Sequence, residues 1–144
     1  MRRLVPLVAA ALLFGTVLCG TEPWPRDDLV QPEQVAKDLN TPLLIHIGFP
    51  VLYRSAHITG SVFAGPGSKD AGIADLKKAV ARQPRTREIV LCCGCCPFDK
   101  CPNIRPAFAA LHEIGFIHVK AMAMATNLKT DWIDKGYQTD KRGE

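Results

Sequence analysis

Apolar residues along the chain fall into short runs separated by glycine and proline, and the runs alternate between two periodicities. Leu43-Leu44-Ile45-His46-Ile47 is almost continuously apolar, as expected of a strand covered on both faces, and Gly48-Phe49-Pro50 ends it. His57 to Phe63 reads as a turn feeding a second short strand. Glu88 to Cys93 is a third strand and Phe116 to Met122 a fourth. Between them the spacing becomes helical. Val35, Ala36 and Leu39 follow Pro32 in a helix that Thr41-Pro42 breaks. Ile73, Leu76, Ala79 and Val80 share a helix face that Gln83-Pro84 closes. Ala107, Ala110, Leu111 and Ile114 share another, stopped by Gly115. Leu128 to Lys135 is a last short helix, with Trp132 inward and Gly136 as its end. Strands alternating with helices predict an α/β fold: one mostly parallel central sheet flanked by helices on both faces.

At 144 residues the chain has room for one domain. Arg2-Arg3 followed by an uncharged apolar stretch from Leu4 to Gly20 reads as a secretory signal peptide over residues 1–20, too short for a comfortable membrane span. Residues 21–28, with two prolines, form a linker, residues 29–137 the domain, and residues 138–144 a polar tail. The expected location is therefore periplasmic or secreted, with a mature start between Cys19 and Trp24; a retained leader would make it a membrane anchor. Losing two arginines with residues 1–20 brings the net charge from +4 to +2. The remaining basic residues are scattered, which argues against a nucleic-acid partner, and no polybasic segment marks a membrane surface.

Five of the six cysteines lie within ten residues, Cys92, Cys93, Cys95, Cys96 and Cys101, on the loop joining the third strand to the helix that starts near Ile104. Distributed pairs are the usual framework of exported proteins. An odd number so close together cannot staple a fold, so the cluster serves chemistry, or one local bridge plus chemistry. Thiols at a helix start sit near unpaired N–H groups and the positive end of the helix dipole, which favour the thiolate. Cys92 alternates away from Cys93 along the strand and reads as packing. Cys96 and Cys101 span a turn suited to a local bridge and are the redox or resolving thiols. No metal or other cofactor is expected. The alternative is a soft-ion site, such as one for Cu(I), made by Cys93, Cys95, Cys96 and Cys101; the two separated pairs of a structural zinc site are absent. Asn103 reads as the N-cap of the following helix. Lys100 and Arg105 are candidates to hold an anion at the loop mouth. His46 reads as a core histidine, His57 as a turn hydrogen-bonder, and His112 and His118 as surface residues, while Met122 and Met124 belong to the core.

Three segments carry a resemblance to the rhodanese-like domain, over roughly Leu29 to Tyr137. Pro42-Leu43-Leu44-Ile45-His46-Ile47 resembles the family's first core strand, and Ala56-His57-Ile58-Thr59-Gly60-Ser61 its G-H-I-P-G-A turn. Ile89-Val90-Leu91-Cys92-Cys93, followed by a loop, a helix and Gly115-Phe116, resembles its strand–cysteine–helix unit. The resemblance implies a sulfurtransferase of the thiosulfate or persulfide type. A cysteine thiolate takes sulfane sulfur from a small donor and passes it to a thiol acceptor, which includes another protein's thiol. It places Cys93 as the catalytic residue, with Cys96 as its rival, and Gly94, Cys95, Lys100 and Arg105 as the substrate-binding set. The chain departs from the family pattern in having His46 and Gly48 where Asp and Arg are usual after the first core strand. Lys100 is the only base between Cys93 and Cys101. A thiol-redox module and a catalytically silent domain with bridged cysteines are the other readings.

Overall fold

The computed structural model describes residues 23–141; the expected signal peptide over 1–20 lies outside the described residues. Among the described residues, seven strands and four α-helices follow one another: β1 (Leu29–Val30), α1 (Pro32–Val35), β2 (Leu43–His46), α2 (Pro50–Ser55), β3 (His57–Ile58), β4 (Val62–Phe63), α3 (Asp70–Ala79), β5 (Ile89–Cys92), α4 (Ile104–Glu113), β6 (Val119–Met122) and β7 (Thr139–Asp140). Five strands form one sheet in the order β1-β6-β5-β2-β4, every pairing parallel. β3 and β7 make a separate antiparallel pair. The expected α/β architecture is the one observed.

Alternation along the central strands divides the core into two layers. Ile45, Leu91 and Ala121 face α3 and α4, packing with Leu76, Ile104, Ala107, Leu111 and Phe116. Leu44, Val90 and Met122 point the other way, against Val35, Ile58, Leu128 and Trp132. Cys93 falls in the first layer and Cys92 in the second, so the two neighbours look into opposite faces of the sheet. Met122 and Met124 are buried as expected.

Several elements differ from the reading of the sequence, each for a local reason. The helix expected to run to Leu39 stops at Val35, after a capping box in which Gln31 and Gln34 bond reciprocally. α2 has no counterpart in the reading of the sequence; proline fits its first turn, but its six residues bury no side chain and so leave no apolar stripe to detect. β1 and β7 have two residues each, too few for a period-two signal. The fourth strand begins at Val119 rather than Phe116. The last helix is a π-helical turn, Lys129–Ile133, and Asp131 in it accepts N–H bonds from Thr126 and Asn127.

Both ends of the domain reach further than expected. The tail assigned from residue 138 opens as β7 against β3, and the Gln138 carbonyl accepts the Trp132 indole N–H at 2.9 Å. In the linker, Trp24 stands edge-on to Phe108 with ring centroids 5.1 Å apart and packs at 6.4 Å from Phe98. It straps the start of the domain across the turn that follows the cysteines.

Candidate functional site

The cysteine loop leaves the carboxyl end of β5 beside that of β2, where His46 lies opposite Cys92 in register. Active loops of parallel sheets occupy this edge. Gly94 has φ of +79°, and a Cβ there would stand 2.9 Å from the Leu128 Cβ, so only glycine turns the chain this closely. A Cβ on Gly48 would overlap the Cys93 carbonyl. Position 48 therefore has no room for a side chain. Two backbone bonds fix the loop to the segment after β6: Leu128 N–H to the Gly94 carbonyl at 3.1 Å, and Phe98 N–H to the Met124 carbonyl at 3.0 Å.

Four sulfurs close into a ring. Cys93 Sγ lies 3.2 Å from Cys95 Sγ, and Cys95 Sγ lies 2.9 Å from Cys96 Sγ. Cys101 completes it, hydrogen-bonded to both Cys93 and Cys96. All four are free thiols in this structure, including the Cys96 and Cys101 expected as a local bridge. Cys93 and Cys101 are buried and Cys95 and Cys96 half-buried. Cys92 stands apart, 4.0 Å from His46 Nδ1 on the opposite face, and burial pushes its thiol up to about 12.

Asn103 stands at the N-cap position of α4 as expected, but a second group meets the helix N–H groups. The Asn103 side chain makes no cap bond. Fully buried, it accepts the Ser68 N–H at 3.0 Å and donates to Cys93 Sγ at 3.3 Å, tying the loop after β4 to the sulfur ring. The group at the head of α4 is the sulfur of Cys101, which accepts the N–H groups of Asn103 and Ile104. Those are the donors that a capping Ser or Asp would satisfy, with Pro102 in the position that tolerates proline.

These contacts polarise the ring. Hydrogen bonding from Cys93, helped by the two backbone N–H groups and the Cys96 thiol, lowers the Cys101 thiol to about 6 against the opposing effect of burial. Cys93 moves the other way, raised first by that same bond and then by burial. At neutral pH the pair therefore holds one proton, on Cys93, pointing at a Cys101 thiolate. Burial and then its Cys95 neighbour raise Cys96 to about 12. The sign is testable. Thiolate absorbance should appear as pH rises through about 6 and disappear from that range in Cys101→Ser; a first thiolate appearing only above pH 8 would refute the pairing.

The remaining expected residues sit around the ring. Lys100 is exposed on the 3-10 turn Phe98–Lys100, and Arg105 lies with its guanidinium carbon 4.5 Å from the centre of the Trp24 ring. His57 Nδ1 is 2.8 Å from the Tyr53 carbonyl, the turn contact expected of it, and His112 and His118 are exposed. His46 is fully buried, and burial followed by repulsion from His57 lowers it to about 4, so it is neutral at physiological pH. Its ring reaches the loop glycines: Cβ atoms at Gly48 and Gly94 would lie 3.0 and 3.6 Å from its Nε2 and Cε1. Two contributors escaped the sequence reading, Cys101 as a cap and Trp24 as a strap. The Cys-Pro pair ahead of a helical run was the available signal for the first.

No family model matches the sequence, and no curated protein does. Solved structures do. The chain superposes on the BH2092 protein of Bacillus halodurans with a TM-score of 0.62 at 16% identity, covering 80% of this chain and 77% of that one. The rhodanese-like domain of the Alr3790 protein from Anabaena sp. gives 0.58 at 16% identity, covering 80% of each chain. A shorter Rhodanese_3-like domain of the same Anabaena protein gives 0.52 at 20% identity, over 69% of this chain and 98% of the other. With its parallel sheet, its helices on both faces and its cysteine loop at the carboxyl end of β5, this chain has the rhodanese-like fold.

Proposed function

We propose that this protein carries sulfane sulfur as a persulfide on Cys93, taking it from a small sulfur donor and giving it to a thiol acceptor. One observation carries the reading: Cys93 Sγ, at the strand end, shares a proton with a Cys101 sulfur fixed by the first N–H groups of α4. Cys101 is the base. The proton leaves Cys93 for Cys101 only as the donor's sulfur is attacked, since the resting pair keeps its charge on Cys101, and Cys93 is then the stronger nucleophile because nucleophilicity rises with thiol pKa. Attack on the outer sulfur of a donor then forms the Cys93 sulfur–sulfur bond and expels the donor's remainder with the bonding electrons. The Asn103 amide, 3.3 Å from Cys93 Sγ, is placed to stabilise the charged sulfur. Intact mass after incubation with thiosulfate or an organic thiosulfonate tests this: one sulfur gained per chain and lost to added cyanide or thiol supports it, and no gain from any donor ends it. The expected leader over residues 1–20 would direct this activity to the periplasm or the medium. N-terminal sequencing of the exported product should begin between Cys19 and Trp24, and recovery of Met1 would remove that part.

A second reading is favoured by one measurement. The sulfurs of Cys93, Cys95 and Cys101 all lie within 4.8 Å of one another, close enough for all three to converge on one ion. Such a site suits a soft ion such as Cu(I). Stoichiometric retention of metal, lost equally in serine variants of all three cysteines, would favour it over sulfur transfer.

A further inference from the structure

Beside the ring, a cavity of about 280 Å³ opens against Gly94 and Cys95. Its walls are the side chains of Leu52, Ala56, Leu128 and Ile133. The polar side chains at its rim already have partners. Ser55 Oγ donates to the Leu52 carbonyl at 2.8 Å, and Asn127 Oδ1 accepts the Thr130 N–H at 2.9 Å. Lys129 Nζ donates to both Asp134 carboxylate oxygens, at 2.7 and 2.8 Å, so the one lysine at the rim is already paired with a carboxylate. What remains is mainly apolar surface, with Gly94 and Cys95 at the end that meets the ring. Lys100 and Arg105 do not line it.

We propose that this cavity seats the apolar body of an organic sulfane-sulfur donor, and that Cys95 is the thiol that first receives the sulfur. The inference rests on the persulfide reading and adds to it the substrate class and the route. Inorganic thiosulfate, a small dianion with no apolar body, meets there one lysine already paired with Asp134 and otherwise apolar walls. The buried Cys93 is reached through Cys95, 3.2 Å away. With an organic thiosulfonate as donor, the Cys95 thiolate attacks the outer sulfur of R–SO2–S⁻. A sulfur–sulfur bond forms, giving Cys95–S–S⁻, and R–SO2⁻ leaves with the electrons of the broken bond. The Cys93 thiol then takes the outer sulfur from Cys95–S–S⁻, giving Cys93–S–S⁻ and returning its proton to Cys95 as a thiol. No oxidant or reductant is consumed in either step.

The test uses the full chain and a donor series: thiosulfate, then methane-, propane- and pentanethiosulfonate, with loading followed by intact mass. The second-order rate constant should rise roughly fourfold per added methylene, the worth of burying one, with thiosulfate slowest. Leu52→Glu and Ala56→Phe, which charge or fill the cavity, should flatten that rise. Cys95→Ser should slow the loading of Cys93 by all the organic donors. A flat series, or thiosulfate as the fastest donor, overturns the cavity assignment while leaving the persulfide reading intact. Normal loading in Cys95→Ser overturns the route. Loading by no donor at all ends the persulfide reading and takes this inference with it.

Discussion

Cys93→Ser should abolish transfer of sulfur beyond the entry thiol Cys95, whatever the donor, because a hydroxyl at this position is neither ionised nor thiophilic at neutral pH. Cys93→Ala should do the same without adding a polar group to the core, which separates lost chemistry from lost packing. Cys101→Ser is the informative comparison. It removes the base but leaves the acceptor, so uptake should persist at a rate lower by on the order of 100-fold, the usual worth of a general base. Its pH profile should also lose the rise centred near 6 that the Cys101 thiolate gives the wild type. Rates for the serine and alanine variants, measured by intact mass at several pH values, decide it. If Cys101→Ser takes up nothing while Cys93→Ser loads normally, the helix-capping thiolate is itself the acceptor.

Trp132→Ala should cost the fold about 3–5 kcal/mol, the range for removing a fully buried large aromatic side chain. Trp132 has no exposed surface and fills the layer between Val35, Ile58 and Leu128. Its indole N–H also holds the Gln138 carbonyl, through which β7 and β3 are joined to the core. The same loss should reach the site, since Leu128 packs under Gly94 and bonds its carbonyl. Urea unfolding of the variant reads the first effect, and a slower sulfur uptake in its folded fraction reads the second. A midpoint within about 0.5 kcal/mol of wild type would mean that this layer does not hold the domain together.

The central strands and long helices were legible because burial writes itself into sequence as periodicity. β2 and β5 are covered on both faces and read as continuous apolar runs, and α3 and α4 each bury one stripe. Elements held by their surroundings left no such mark. β1 and β7 exist because a neighbour offers an edge. The π-helical turn reads as ordinary helix, because Trp132 faces inward either way. At the site, the strand alternation separated Cys92 from Cys93 correctly. The contacts among Cys93, Cys95, Cys96 and Cys101 depend on how one glycine turns and on which group caps α4, and neither follows from spacing. Asn103 stands at the N-cap position as its residue type suggests, but Cys101 occupies the N–H groups, leaving the amide to bridge Ser68 and Cys93.

The most direct measurement locates the sulfur. Wild-type protein loaded with an organic thiosulfonate, alkylated and digested yields a peptide spanning the cysteine loop, whose tandem mass spectrum assigns the extra sulfur to one residue. At completion it should reside on Cys93, with Cys95 carrying it at early times. Sulfur residing at Cys96 or Cys101 throughout, or a loop that retains metal and gains no sulfur, would contradict the account.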